Sequence, residues 1–329
     1  MASLPPNSSA PKAIPMSTLL QNLSIVLPVF LVIVVGYGLK HTRLIDASFL
    51  YQLNRLVFYV ALPTMLFHKI ASADFQASFN PRLLLGMLAM IVASALLSYG
   101  YGLFRNYSPE KLGAFCQGIF RGNVAYFGLA IIFNAWGETG FATAGIIIGM
   151  LVPPMNFLAV MAMLLPMRSS DHTMGSAFWM YQFAFNPLII SSFLGIIWSF
   201  FDLPLPGVVD TSMDIIAGMA LPLALIAIGG SFSPQRLRGD IKTAALATVM
   251  KIIVMPLVAI PLFLALGVSG QDLGVGVILL AAPTATAAFI MAQQLKSDVE
   301  LTGTIIMLSS LCSVVTYTVL LYLLSILNL

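Results

Sequence analysis

The sequence predicts an all-α membrane protein with ten transmembrane helices arranged as two inverted five-helix repeats, on three observations. Of 329 residues, 59% are hydrophobic and 8% charged, where a soluble domain carries roughly 25% charge. Apolar runs recur along the whole chain, each about 20 residues long and so able to cross a hydrocarbon core as a helix. The second half also repeats the punctuation of the first. Nothing is left over for a soluble domain.

The leader "MASLPPNSSAPKAIPM", residues 1–16, lacks a basic region feeding a short apolar core and a cleavage site, so it reads as disordered and not as a signal peptide. Polar, proline and glycine punctuation then divides the chain into spans near 20–39, 47–70, 82–104, 110–135 and 139–165, the first repeat occupying 17–168. The longest connection, "MRSSDHTMGS", follows. The second repeat, 176–329, holds spans near 176–201, 207–230, 241–266, 271–294 and 300–327.

Orientation follows from Lys and Arg, which concentrate in cytoplasmic loops. Loops after odd-numbered spans carry Lys40, Arg43, Arg105, Lys111, Arg168, Arg236, Arg238, Lys242 and Lys296, against Lys12, Lys69 and Arg82 on the other side. Both termini are therefore expected on the extracytoplasmic face of a cell (inner) membrane. The same scatter of basic residues, at a net charge of +3, points to topology and not to nucleic acid. Cys116 and Cys312 lie in apolar runs without metal-ligand spacing, so neither a disulfide nor zinc is expected.

Offsetting the chain by 159 residues aligns Pro28 with Pro187, Gly36 with Gly195, and Ala61-Leu62-Pro63 with Ala220-Leu221-Pro222. Two further residues of offset bring Leu112-Gly113 onto Leu273-Gly274 and Gly122-Asn123 onto Pro283-Thr284. With five spans per repeat, the second half enters the membrane from the opposite face. That architecture belongs to alternating-access carriers, whose sites lie where broken helices of the two halves meet.

The fourth and ninth spans are broken at matching places. Glycine loosens a helix and proline removes a donor, so both breaks free backbone groups that survive at membrane depth only in protein or along a cavity. The N-termini of the resulting half-helices suit an anion such as a carboxylate. Packing kinks are the common alternative for one such site; two at equivalent positions favour function. Arg121, halfway along its span, costs about 2.5–3.5 kcal/mol to insert. Its counterpart is Ala282, so it is either a carboxylate clamp or a donor to freed carbonyls. Lys251, deep in the eighth span, is expected to pair with an acid such as Asp214 or else to lie near the substrate path. Arg55 is expected to snorkel.

No Asp or Glu falls clearly at mid-membrane, so proton coupling has no support here. Sodium held by carbonyl and side-chain oxygens leaves no motif, so the coupling ion and any metal ligands stay open. An enzyme reading fares poorly: "GVSG", residues 267–270, has the spacing of an intramembrane serine protease, but Ser269 falls in a loop and His41, His68 and His172 sit at span ends or in loops. HExxH, P-loop and dinucleotide fingerprints are absent. No cofactor is expected.

The segments "LNRLVFYVALPTMLFHKIA" (53–71), "GNVAYFGLAIIFNAWG" (122–137), "NPLIISSFLGIIW" (186–198), "MKIIVMP" (250–256) and "AAPTATAAFIMAQQL" (281–295) together resemble the auxin efflux carrier family, in its bacterial form. The resemblance implies crossed fourth and ninth helices, scaffold and transport parts drawn from both repeats, elevator-like exchange, and often a homodimer. It implies organic anions as substrates: auxin for plant members, dicarboxylates such as malonate or malate for some bacterial ones. Asn123 matches the family's crossover asparagine and Pro283 its ninth-span proline. Ala130 stands where one crossover proline is usual, and Met87 approximately where plant members carry an acid. A blunter first break and a site unlike that for auxin are expected.

The function expected is therefore secondary transport of small carboxylates. Asn123, Gly122, Thr284 and freed amides would hold the anion, Arg121 would add charge, and Tyr126, Thr286 and Asn156 would line the site. Gly122, Gly128 and Pro283 would form the crossover hinge. A sodium-coupled symporter like the bile acid carriers, or a sensor or channel, is the alternative.

Overall fold

The computed structural model describes residues 16–167, 186–232 and 240–327. The leader through residue 15, the connection 168–185 and the start of the sixth span lie outside them. The described residues form an all-helical fold without strands. Among the described residues, six helical stretches are long and apolar enough to cross a membrane.

Helix α1, Met16–His41, ends near Arg43, whose φ of 60° turns the chain. Asp46 caps α2, Ala47–Leu56, by accepting from the Phe49 amide at 2.7 Å. A π-helical turn, Val57–Ala61, joins α2 to α3, Leu62–Ala71, just ahead of Pro63. Proline lacks the donor its helix needs. The wider turn lets the helix run on past that missing bond. The same device recurs in the second half, where α10 (Ile241–Val249), the π turn Met250–Val254 and α11 (Met255–Ala265) run on through Pro256.

Between them come the short α4 (Phe75–Ser78) and α5 (Pro81–Phe104), whose Asn80 cap accepts from Arg82 and Leu83 amides. Helix α6, Pro109–Phe120, starts on a Ser108 cap and stops at Arg121. Helix α7, Leu129–Leu164, is two helices in one: Gly137, at φ 60° and ψ −144°, turns the chain where the sequence predicts the fourth and fifth spans to part. After Asn186 come α8 (Pro187–Phe200) and α9 (Gly207–Ser231). The chain closes with α12 (Gly270–Leu280), α13 (Ala287–Gln294) and α14 (Val299–Ile326).

Two sets of helices carry most of the packing. Helix α9 packs on α1 and α3, and α3 on α8. Elsewhere α6 packs against α5, α7 and α14, α12 against α7 and α11, and α10 against α14. Helices α1 and α9 approach through Gly36 and Gly229: a Cβ at either would run into backbone atoms of Ile226 or Ile33. Such close backbone approach is how helices gain contact in lipid, where burial of apolar surface no longer drives association.

Candidate functional site

The two broken spans meet. The chain leaves α6 at Arg121 and α12 at Leu280, and the two irregular segments pair as a short antiparallel bridge between Gly122 and Thr284. Asn123 donates its amide to the Pro283 carbonyl at 2.7 Å, and Ala285 donates to the Arg121 carbonyl at 3.0 Å. Thr284 donates its amide to Ser309 Oγ at 3.1 Å and its hydroxyl to the Gly118 carbonyl at 2.7 Å. Each break thus satisfies the other, a condition for irregular backbone away from water.

This corrects part of the site expected from sequence. Several freed amides are spent on the crossing itself. Thr284 is fully buried with its hydroxyl committed, and is not on the wall of the adjoining cavity. Gly128 is no hinge. Its φ of −58° and ψ of −54° are helical, and a Cβ there would sit 2.9 Å from Leu279 Cδ2, so it is a packing position against α12. With Ala130 in place of proline, α7 runs without a break from Leu129 to the turn at Gly137, and the disruption falls at residues 121–123 and the π turn Val124–Gly128.

Beside the crossing is a cavity of about 280 Å³. Its wall includes Arg121, Gly122, Asn123 and Tyr126 from the first break, Thr286 and Ala287 from the second, and Asn156 from α7. The two half-helices begin on this wall, at Val124 and Ala287. These starts carry the positive end of each helix dipole, and at α13 the Ala288 and Phe289 amides are taken by the Ala285 and Thr286 carbonyls at 2.9 and 3.1 Å. Arg121 is 7% exposed and donates to Asn156 Oδ1 at 2.8 Å and towards Met291 Sδ at 2.6 Å. Among the described residues no carboxylate pairs with it. Asn123 is equally buried, and its Nδ2 has no hydrogen-bond partner. A guanidinium without a counter-ion and an amide donor without an acceptor share one small cavity. Their common complement is an anion with oxygen acceptors.

Among the residues on that wall that sequence reasoning missed are Phe58, Asn186 and Met291. A phenylalanine or methionine in an apolar helix gives no polar signal, and Asn186 reads as a helix cap, which it also is, accepting from Leu188 N at 3.0 Å. A second cavity of about 380 Å³ shares Phe58, Tyr126 and Thr286 with the first and reaches Arg55, which lies over the Tyr51 ring at 5.9 Å.

Lys251 does not pair with Asp214. Asp214 lies 3.4 Å from Lys69, which also bonds Glu138 at 2.9 Å, while His68 bonds Asp210 at 2.8 Å. Lys251, 1% exposed, instead donates to the Leu280 carbonyl at 2.9 Å, and it is absent from the cavity wall. Ser269 is the residue before α12, at a helix end and not among catalytic partners.

Residues 23–321 match the family model described as "Membrane transport protein". The chain belongs to that family, the auxin efflux carrier family, and is a multi-pass membrane transporter and not an enzyme. It is similar to an "Uncharacterized transporter" of Methanothermobacter thermautotrophicus, 25% identical over 88% of this chain and 94% of that one. It is similar also to a protein of Rhizobium meliloti named "Putative malonate transporter", 28% identical over 91% of this chain and 94% of its relative. Similarity to auxin efflux carrier component 6 of Arabidopsis thaliana, 28% identical, covers 41% of this chain and 25% of the plant protein.

Proposed function

We propose that this transporter is a secondary carrier of small organic anions, with the carboxylate bound where the two broken helices cross. One observation carries the reading: Arg121 without a counter-ion, Asn123 Nδ2 without an acceptor and the starts of two half-helices all border a single cavity. A carboxylate completes all of them at once. Tyr126, Thr286 and Asn156 bound the anion, and Gly122 and Pro283 keep the backbone close at the crossing. The name of the Rhizobium relative supports malonate as the first acid to try.

In this reading the chain makes ten passes as two inverted repeats of five. Helices α1, α2, α3, α8 and α9 form a scaffold, and α5–α7 with α10–α14 form a part that moves against it, as in an elevator; α1, α3 and α8 meet that part along α7 and α14. Both termini face away from the cytoplasm of the inner membrane, and assembly as a homodimer belongs to the same reading. Uptake of labelled malonate into proteoliposomes tests the proposal: saturable flux abolished by Asn123→Ala supports it, and unchanged flux in that variant removes the crossing from the substrate path. Rapid flux that never saturates would point to a channel instead.

A further inference from the structure

We infer that Lys69 and Glu138 form a latch on the extracytoplasmic face that holds this carrier open towards the cytoplasm, and that the lysine passes wholly to Asp214 when the latch parts. The inference rests on the scaffold and moving part proposed above, and goes beyond them by naming a contact that sets the balance between the carrier's two forms. Three polar contacts run from one part to the other. Lys69, in the last turn of α3, bonds Glu138 of α7 at 2.9 Å. Asn134 of α7 donates to the Ile25 carbonyl of α1 at 3.1 Å, and Asn22 of α1 to Ser325 Oγ of α14 at 3.5 Å. The start of α1, the end of α3, the Gly137 turn of α7 and the end of α14 all belong, in that reading, to the face that carries the two termini.

At the other end the two parts stand apart. The cavity that reaches Arg55 lies between α2 and α9 on one side and α13 and α14 on the other, and it shares Phe58, Tyr126 and Thr286 with the cavity at the crossing. The crossing therefore faces the cytoplasmic end. Packing alone does not close the outer end: a cavity of about 470 Å³ separates α7 from α1, α3 and α9, lined by apolar groups such as Val32, Phe133 and Leu221 and bordered by Lys69, Glu138 and Asp214. Polar contacts span the gap instead.

The lysine has a partner on each part, Glu138 at 2.9 Å on the moving one and Asp214 at 3.4 Å on the scaffold. Movement of α7 breaks the first bond and leaves the second, so the ammonium keeps a carboxylate throughout. His68, the residue before, bonds Asp210 at 2.8 Å and lies 3.9 Å from Asp214, which keeps α3 and α9 together. An ion pair this exposed contributes little to the fold. Its contribution falls on one of two forms, however, and a two-form equilibrium responds to any such difference.

The test follows the distance between spin labels on Val208→Cys, at the exposed start of α9, and Ser269→Cys, exposed just before α12, one on each part. It uses the purified full chain with the exposed Cys312 replaced by alanine; Cys116 is buried. No organic acid is present, so saturable malonate flux lost in Asn123→Ala would stand whatever the distances show. Without the Glu138→Gln substitution one main distance is expected; with it a second should grow, the ratio of the two changing about two- to fivefold. Lys69→Gln should do the same, and the double variant no more than either single, the mark of a direct pair. Lys111→Gln, which breaks the Lys111–Asp240 pair inside the moving part, should leave the distances unchanged. Raising choline chloride from about 0.05 M to about 1 M should shift the parent protein as Glu138→Gln does, and leave Glu138→Gln as it was. Unchanged distances in Glu138→Gln, additive shifts in the double variant, or an equal shift in Lys111→Gln overturns the inference. If the variants cannot be purified, the salt series on the parent protein decides: distances indifferent to salt overturn it.

Discussion

Asn123→Ala should separate binding from folding. The Nδ2 of Asn123 is buried beside the cavity and bonds to nothing in the protein. Its removal therefore costs the fold no hydrogen bond. The bonds that hold the break are made by the main chain, from Asn123 N to Pro283 O and from Phe127 and Gly128 amides to Asn123 O, and alanine keeps all three. A hydrogen bond from this amide to a carboxylate contributes about 1.5–3 kcal/mol, as bonds to charged groups do. At about 1.4 kcal/mol per factor of ten, anion affinity should fall about 10- to 150-fold. The unfolding temperature without ligand should stay within about 2 °C of wild type, a change below 1 kcal/mol. Titrating malonate while following thermal unfolding reads both quantities in one assay. Unchanged affinity would refute the reasoning, and so would a large loss of stability with affinity retained, because either would make the amide structural.

Arg121→Gln should weaken dicarboxylates about tenfold more than monocarboxylates, since two negative charges in one cavity depend on the guanidinium more than one does; equal losses in a competition assay would assign Arg121 to packing with Asn156 and Met291. Gly229→Ala forces a Cβ into the backbone of Ile33 and should destabilise by about 1–3 kcal/mol, while the conservative Ser231→Ala, nearby on the same helix, should not. Asp240, the cap of α10, bonds the Lys111 ammonium at 2.8 Å and the Thr243 hydroxyl and amide, and these hold its carboxyl well below the usual carboxylate range. A depressed folded value stabilises in full above the unfolded pKa of about 3.9 and fades as pH falls through the folded one. Asp240→Ala should therefore cost about 1 kcal/mol at neutral pH, modest because the pair is exposed, with the gap to wild type narrowing only below about pH 4.

Much of the fold was legible because its punctuation is local. Asn80-Pro81, Ser108-Pro109 and Asn186-Pro187 each start a helix with a cap and a proline, and Gly137 marks the turn within α7. The alignment of Gly122 with Pro283 likewise pointed to two segments that do meet. What stayed hidden depends on partners distant in sequence. Thr284 looked like a ligand group, yet Gly118 claims its hydroxyl. Lys251 called for an acid, but a helix end answers it, and a backbone carbonyl has no letter in the sequence. Gly128 carried the look of a hinge because nothing local reveals that Leu279 fills the space beside it.

Counterflow of labelled malonate into proteoliposomes preloaded with unlabelled acid bears most directly on the central claim, a carboxylate carried at the crossing. Saturable accumulation, suppressed by competing dicarboxylates and lost in Asn123→Ala, is the result expected. Accumulation that is the same in Asn123→Ala as in wild type would contradict it.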